Sequence, residues 1–214
     1  MAKKDTVRIG VIGVGYVAKN NFLPVLPQFD DVEFVGLMAR NVENAKRAQR
    51  MCGAQHVVST IEELVDLGLD AAFVLTPKQC HAEQISFLLN AGVDVYSEKP
   101  MATTEEDCEA MVEAAREAGK YLMIGLNQRL AKAHVKAQEI LDSGEMGEVL
   151  TFETHFSHPG PEGWTGQANS WFFDKKTAQF GVMADLGVHK TDLLYYLTGK
   201  KIVKTSATLA TVDK

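Results

Sequence analysis

Cysteine is scarce in this sequence: only Cys52, Cys80 and Cys108 occur. They are far apart and never form C-x-x-C, so the chain offers neither a disulfide framework nor a zinc-binding spacing, and no metal site is expected. Dense basic clusters are missing too. With 22 basic against 28 acidic residues the net charge is −6, which argues against nucleic acid as a partner. No apolar run approaches membrane-spanning length, and the opening MAKKDTVRIG lacks the apolar stretch of a secretory signal. No membrane partner is expected, and the location expected is cytoplasmic. What the chain does have is enough apolar material, 46% of 214 residues, for a real core in one large or two small domains.

That core is organised around Val7 to Phe22, VRIGVIGVGYVAKNNF. The β-formers Val7, Ile9, Val11 and Ile12 run into Gly13, and Gly15 and Ala18 complete a G-x-G-x-x-A turn before a helical segment. Strand, glycine turn and helix in this order form a dinucleotide-binding fingerprint. Gly13 allows the tight turn, Gly15 lets a pyrophosphate approach the backbone, and Ala18 is small enough for the helix to pack on the strand. The helix N-terminus then presents free amide donors and the positive end of its dipole to the phosphates. The same glycines also suit a plain βα turn, so the motif needs its context.

The context repeats the unit. Strands are expected at Val32 to Met38, His56 to Val58, Ala71 to Leu75, Asp94 to Ser97 and Tyr121 to Ile124. Helices are expected between them: Val42 to Met51 before Gly53, Ile61 to Leu67 behind a Thr60/Glu63 capping box, Gln79 to Asn90, and a long one to Ala118 capped by Thr103 or Thr104. Six strands alternating with helices predict a doubly wound parallel α/β sheet, a Rossmann domain over residues 1–125. Ligands bind such sheets at the carboxyl ends of the strands, where Gly13, Arg40, Thr76 and Lys99 fall.

Beyond Gly125 the rhythm changes. A helix from Ala131 to Leu141, an alternating strand Val149 to Phe156, a Gly-, Pro- and Trp-rich loop from His158 to Trp171, a helix Met183 to Leu197 and a strand Ile202 to Leu209 are expected. Residues 126–214 then form the start of an α+β domain. Two strands make an incomplete sheet, so the chain is expected to be cut short, with an exposed edge that invites self-association.

Two groups could do chemistry. Asp185, His189 and Asp192 share a helical face, and a carboxylate one turn from an imidazole suits a general acid or base. Such pairs also occur as plain surface contacts. Lys99, between Glu98 and Pro100 at a strand end, could act as proton carrier or donor once desolvated, or be an ordinary solvated lysine.

Taken together, GVIGVGYVA, LTPKQCHAE, LLNAGVDVYSEKPMATT, GLNQRL, GEMGEV and DLGVHKTDLLYYLTG resemble the glucose-fructose oxidoreductase and inositol dehydrogenase family, Gfo/Idh/MocA, in order along nearly the whole chain. The resemblance implies a Rossmann domain followed by an open, mostly antiparallel sheet, and an NAD(P)-dependent oxidoreductase acting on a CH–OH group of a sugar, polyol or related compound. It implies Lys99 of E-K-P, with Asp185 and His189 of D-x-G-x-H, as the catalytic set, and Thr76, Pro77 and His81 beside the cofactor. The full set of cofactor candidates is Gly13, Gly15, Tyr16, Val17, Ala18, Ala39, Arg40, Thr76, Pro77, His81, Glu98 and Lys99. Arg129, in GLNQRL, and Trp171 are the candidate substrate contacts. Arg40 stands where an acidic residue would bind an NAD ribose and can instead pair with a 2′-phosphate, so NADP is favoured slightly over NAD. A homo-oligomer through the C-terminal sheet is expected of the complete protein. A cofactor-binding sensor without turnover, or an inactive fragment, is the alternative reading.

Overall fold

In the computed structural model, residues 6–166 and 171–210 are described, without the side chains of Trp164, Thr165 and Trp171. Among them six strands form one sheet in the order β3-β2-β1-β4-β5-β6. They are β1 Val7–Ile12, β2 Val32–Met38, β3 His56–Val58, β4 Ala71–Val74, β5 Asp94–Ser97 and β6 Leu122–Ile124, and every neighbouring pair is parallel. The sheet is the expected Rossmann type. Its order reverses between β1 and β4, so the ends of those two strands, in register at Ile12 and Val74, open the crevice where such folds take ligands.

The helices form where the local signals put them. Helix α1, Val42–Cys52, begins at Asn41, whose side chain accepts from the Asn44 amide, and ends at Gly53 with φ of 70°, a value that favours glycine. Helix α2, Ile61–Val65, has the full Thr60/Glu63 capping box; it ends before Leu67 because residues 66–68 turn. Helix α3, His81–Asn90, follows a 3-10 turn at Lys78–Cys80. Helix α4, Glu105–Ala118, takes Thr104 as its cap, with the Asp107 amide donating to the hydroxyl. Leu37, Val11, Ala45 and Ala48 pack on one side of the sheet, and Ile12, Val74, Ile85, Leu88 and Met111 on the other. Each large side chain so buried contributes about 1.5–3 kcal/mol.

The described chain divides into two compact units, one holding residues up to Gly125 together with Pro159–Asp185, the other holding Leu126–His158 and the chain from Leu186 onward. In the second unit, α5 spans Lys132–Asp142 and a longer helix closes on Gly199 with φ of 65°. The strand expected at Val149 to Phe156 does not form, nor does the one at Ile202 to Leu209: both stretches, as far as residue 210, carry no ladder among the described residues. A strand exists only where a neighbour takes its backbone donors and acceptors, and none is there to do so. The stretch read as one loop from His158 to Trp171 contains a short helix α6, Pro161–Thr165; residues 167–170 of it lie outside the described residues. Next come a 3-10 turn at Trp171–Phe173 and α7, Lys175–Ala178. The helix expected from Met183 opens instead as a π turn, Met183–Gly187, and continues as α8, Val188–Thr198. No helix among the described residues is long and apolar enough to cross a membrane.

Candidate active site

The glycine turn sits at the switch of strand order. Gly13 has φ of 93°, its amide donates to the Met38 carbonyl at 2.9 Å, and a Cβ there would lie 2.7 Å from the Leu75 carbonyl oxygen. No other residue fits between the ends of β2 and β4 without strain. Gly15 is different: a Cβ would meet nothing within 4 Å, so its smoothness serves the open side of the turn. Tyr16 is exposed, Val17 half-buried and Ala18 fully buried against the sheet. The helix that follows the turn starts at residues 16 and 17 and runs on as a π turn, Ala18–Phe22, with the Lys19 amide donating back to the Gly15 carbonyl at 3.1 Å; the amides of its first turn face the end of β1. An open glycine, donor amides and the end of β1 are a cradle that fits a dinucleotide's pyrophosphate.

On one side of the cradle, Ala39 is buried and Arg40 is exposed just before the cap residue Asn41. On the other side, past β4, the Thr76 hydroxyl donates to the Gln84 side-chain oxygen at 2.6 Å, and Pro77 opens the 3-10 turn. His81 is buried, with Nε2 at 2.9 Å from the Thr76 carbonyl and Nδ1 at 3.0 Å from the Pro100 carbonyl. It ties the loop after β4 to the loop after β5.

The loop after β5 carries Glu98 and Lys99. Lys99 Nζ donates to Oδ1 of Asp185 at 2.7 Å and to the Asp185 backbone carbonyl at 2.8 Å. The two side chains are only 17% and 19% exposed, so water screens this pair far less than a surface ion pair. Glu98 accepts from the Lys99 amide; burial raises its carboxyl above the usual range, against the opposing effects of that amide and of the Lys99 charge. Burial and the Glu98 charge together push the Tyr96 phenol up to about 12. Lys78 completes the group. It is 6% exposed and donates to the Ala178 carbonyl; burial lowers its ammonium from the usual value, Asp185 opposing and Lys99 reinforcing the shift.

In the other unit, His189 is buried in the first turn of α8, 6.2 Å from the Phe156 ring. Lys190 lies over the same ring at 5.0 Å and donates to Gln128. Asp192, on the helical face of His189, accepts from Arg129 with both carboxylate oxygens, from Nε at 2.8 Å and from Nη2. The Arg129 guanidinium also stacks 5.6 Å from the Tyr196 ring centroid. Arg129 is therefore engaged within its own unit. The Trp171 side chain lies outside the described residues.

Residues 7–126 match an oxidoreductase family with an NAD-binding Rossmann fold, Gfo/Idh/MocA, and residues 134–214 match the C-terminal domain of the same family. The chain belongs to this family. It is 26% identical over 209 residues to scyllo-inositol 2-dehydrogenase (NADP(+)) IolW of Bacillus subtilis, covering 97% of this chain and 56% of the relative. It is 31% identical to 1,5-anhydro-D-fructose reductase of Ensifer adhaerens, covering 89% of this chain and 56% of the relative. Apo scyllo-inositol dehydrogenase from Lactobacillus casei shares the fold, with a TM-score of 0.81 at 21% identity over 93% of this chain and 57% of that one. The chain thus spans about half the length of the curated relatives it matches.

Within this Gfo/Idh/MocA chain, two residues of the first unit escape a reading of sequence alone. Gln84 lies one helical turn into α3 and meets Thr76 only because α3 folds back beside β4. Lys78 looks like any loop lysine; its one signal is its place just past a strand end, as with Lys99.

Proposed function

We propose that this chain carries the cofactor-binding and proton-handling parts of an NAD(P)-dependent oxidoreductase, which moves hydride between nicotinamide and a hydroxyl-bearing carbon of a sugar, polyol or related compound. The observation that carries the reading is the Lys99–Asp185 pair: a poorly screened ammonium held by a carboxylate in the unit that also holds the open Gly15 cradle. Residues 1–125 are the NAD(P)-binding domain and residues 126–214 belong to a substrate and oligomerisation domain, of which 159–185 folds into the same compact unit as the former.

A bound nicotinamide dinucleotide would supply the hydride acceptor or donor. The turn amides after Gly13 would hold its phosphates, and Arg40, exposed beyond β2, would pair with a 2′-phosphate and so favour NADP. The Bacillus subtilis relative is itself named for NADP(+). A carbinol carbon gives up hydride only as its hydroxyl gives up a proton. His189 takes that proton as general base, and Lys99, oriented by Asp185, donates to the oxygen and steadies the charge it gains. Run toward the alcohol, His189 returns the proton to the oxygen while Lys99 keeps donating its hydrogen bond.

Three free thiols suit a reducing, cytoplasmic setting. The apolar residues exposed at 149–156 and 202–209 suit an open antiparallel sheet through which copies associate.

The test is a panel of inositols, anhydro sugars and free sugars, with formation of reduced cofactor followed by absorbance, using protein of native length and each of NAD and NADP. Turnover of one of these with either cofactor is expected. Tight cofactor binding with no turnover of any would favour a sensor instead.

A further inference from the structure

The buried Lys78 lies outside the catalytic set assigned above, and burying an ammonium is costly unless it is paired. Its setting explains why it is kept. Helix α7 is a single turn, capped at its start by Asp174 and followed by Gln179 at φ 54° and ψ −88°. Gln179 is the one non-glycine residue with positive φ among those described. Such a conformation is strained and persists only where the surroundings impose it. The carbonyl just before that strained residue, Ala178, takes two donors: the Gly181 amide at 3.3 Å and the Lys78 ammonium. Past the bend, Gly181 accepts from the Asp185 amide at 3.3 Å, and Asp185 meets Lys99 through its carboxylate and its carbonyl. Two lysines, one past β4 and one past β5, thus grip the two ends of a single segment, 178–185.

We propose that Lys78 is a positioning residue for the Lys99–Asp185 pair: it anchors the Ala178 carbonyl at the strained bend and so sets where Asp185 stands relative to Lys99. A methionine could fill the space but would leave a buried carbonyl short of a donor and release the bend. The ammonium's charge adds to the effect. With Lys99 it gives two cations to one carboxylate, which keeps the pair polarised toward a substrate oxygen gaining negative charge. The proposal rests on the oxidoreductase reading for its kinetic consequences, and on geometry alone for its structural one.

The experiment compares Lys78→Met and Lys78→Arg with the unsubstituted protein, by amide hydrogen exchange of segment 175–185 and by kinetics with the best substrate of the sugar and polyol panel. Lys78→Met is expected to lose exchange protection at Gly181 and Asp185 while the amides of β1 and β4 keep theirs. Its kcat should fall about ten- to a hundredfold, the scale of a misplaced catalytic group, with KM for NADP within twofold. The pH profile of kcat/KM should move, because a cation beside the reacting groups is gone, and Lys78→Arg should restore both exchange protection and much of kcat. If Lys78→Met does not fold, Lys78→Gln, which keeps a polar end but is too short to reach the Ala178 carbonyl as the ammonium does, decides in its place: loss of protection confined to 175–185 with a fall in kcat is expected, and full protection there with unchanged kcat overturns the proposal. Unchanged exchange and unchanged pH profile in a folded Lys78→Met also overturn it. Should the unsubstituted protein turn over nothing, the oxidoreductase reading fails, and the exchange arm still decides the positioning role.

Discussion

The same sequence signals give different results in the two units. In the first, six apolar runs became six strands because each finds a parallel neighbour in the same stretch of chain. In the second, helix α5 formed close to its expected bounds and α8 formed from Val188, behind the π turn at Met183–Gly187, whereas the stretches 149–156 and 202–209 pair with nothing among the described residues. A helix closes its own hydrogen bonds four residues back; a strand is one half of a pair. Periodicity therefore reports a helix almost by itself and reports a strand only as an offer.

The sharpest way to probe the contrast is chemical, because each unit holds one proposed proton-handling group. Lys99→Met and His189→Ala should each lower turnover by roughly two to four orders of magnitude, as general acid-base losses do, with cofactor affinity nearly unchanged in a direct titration. Comparable losses mean that both units serve one reaction. A large loss for Lys99→Met beside near-normal turnover for His189→Ala would confine the chemistry to the first unit and sink the role given to His189.

Within the first unit the two glycines of the fingerprint separate fold from function. At Gly13, where φ is 93° and a Cβ would lie 2.7 Å from a backbone oxygen, alanine should cost about 2–4 kcal/mol through strain and overpacking. Thermal unfolding should show this as a drop of several degrees even without cofactor. At Gly15, where a Cβ meets nothing within 4 Å, alanine should change stability by less than about 0.5 kcal/mol. Its cost should appear instead as weaker NADP binding, since a methyl group stands where the phosphates approach. Equal thermal effects for the two variants would show that the turn is not as drawn.

Smaller effects are expected at the rim. Arg40→Ala should weaken NADP roughly five- to tenfold, the scale of an exposed charge-assisted contact, and leave NAD untouched. Tighter binding of NAD than NADP by the unsubstituted protein, with no change on substitution, would remove Arg40 from the site. Glu98 offers a pH test. Its carboxyl is raised by burial, so folding disfavours its charged form: the penalty is absent below the unfolded carboxyl's pKa, grows as pH rises from there through the raised folded value, and is complete above it. Glu98→Gln should therefore raise the melting temperature at neutral pH, with the advantage shrinking as the pH is lowered past the carboxylate range.

Much of the first unit was legible because its signals are local and repeated. The strand β2 Val32–Met38, the Thr60/Glu63 box and the Gly53 and Gly119 caps are all visible within a few residues of sequence. What joins Lys99 to Asp185, 86 positions apart, is not. Spacing alone ties Asp185 to His189; that the Asp185 carboxylate reaches Lys99 depends on the course of 175–187, which contains a strained bend and a π turn that no propensity encodes. Arg129 was legible as a functional candidate but not as the partner of Asp192, because that pair joins a 3-10 turn to a helix face far along the chain.

The smallest expected effect on stability bears most directly on the difference between the units. Leu150 is 85% exposed and Val203 95% exposed, on the two stretches that failed to pair. A lysine on either should change the stability of a single chain by less than about 0.5 kcal/mol, because no packing is lost there. The same lysines should matter to association. Unpaired apolar stretches with free backbone groups recruit further strands, and a charge on their face is a common natural means of blocking that recruitment. Leu150→Lys with Val203→Lys should therefore leave the unfolding midpoint of the single chain nearly unchanged while lowering the mass measured by light scattering at high protein concentration. A large fall in unfolding temperature with an unchanged mass would mean that these stretches pack within the chain after all, and the contrast between the units would be smaller than the exposure of Leu150 and Val203 implies.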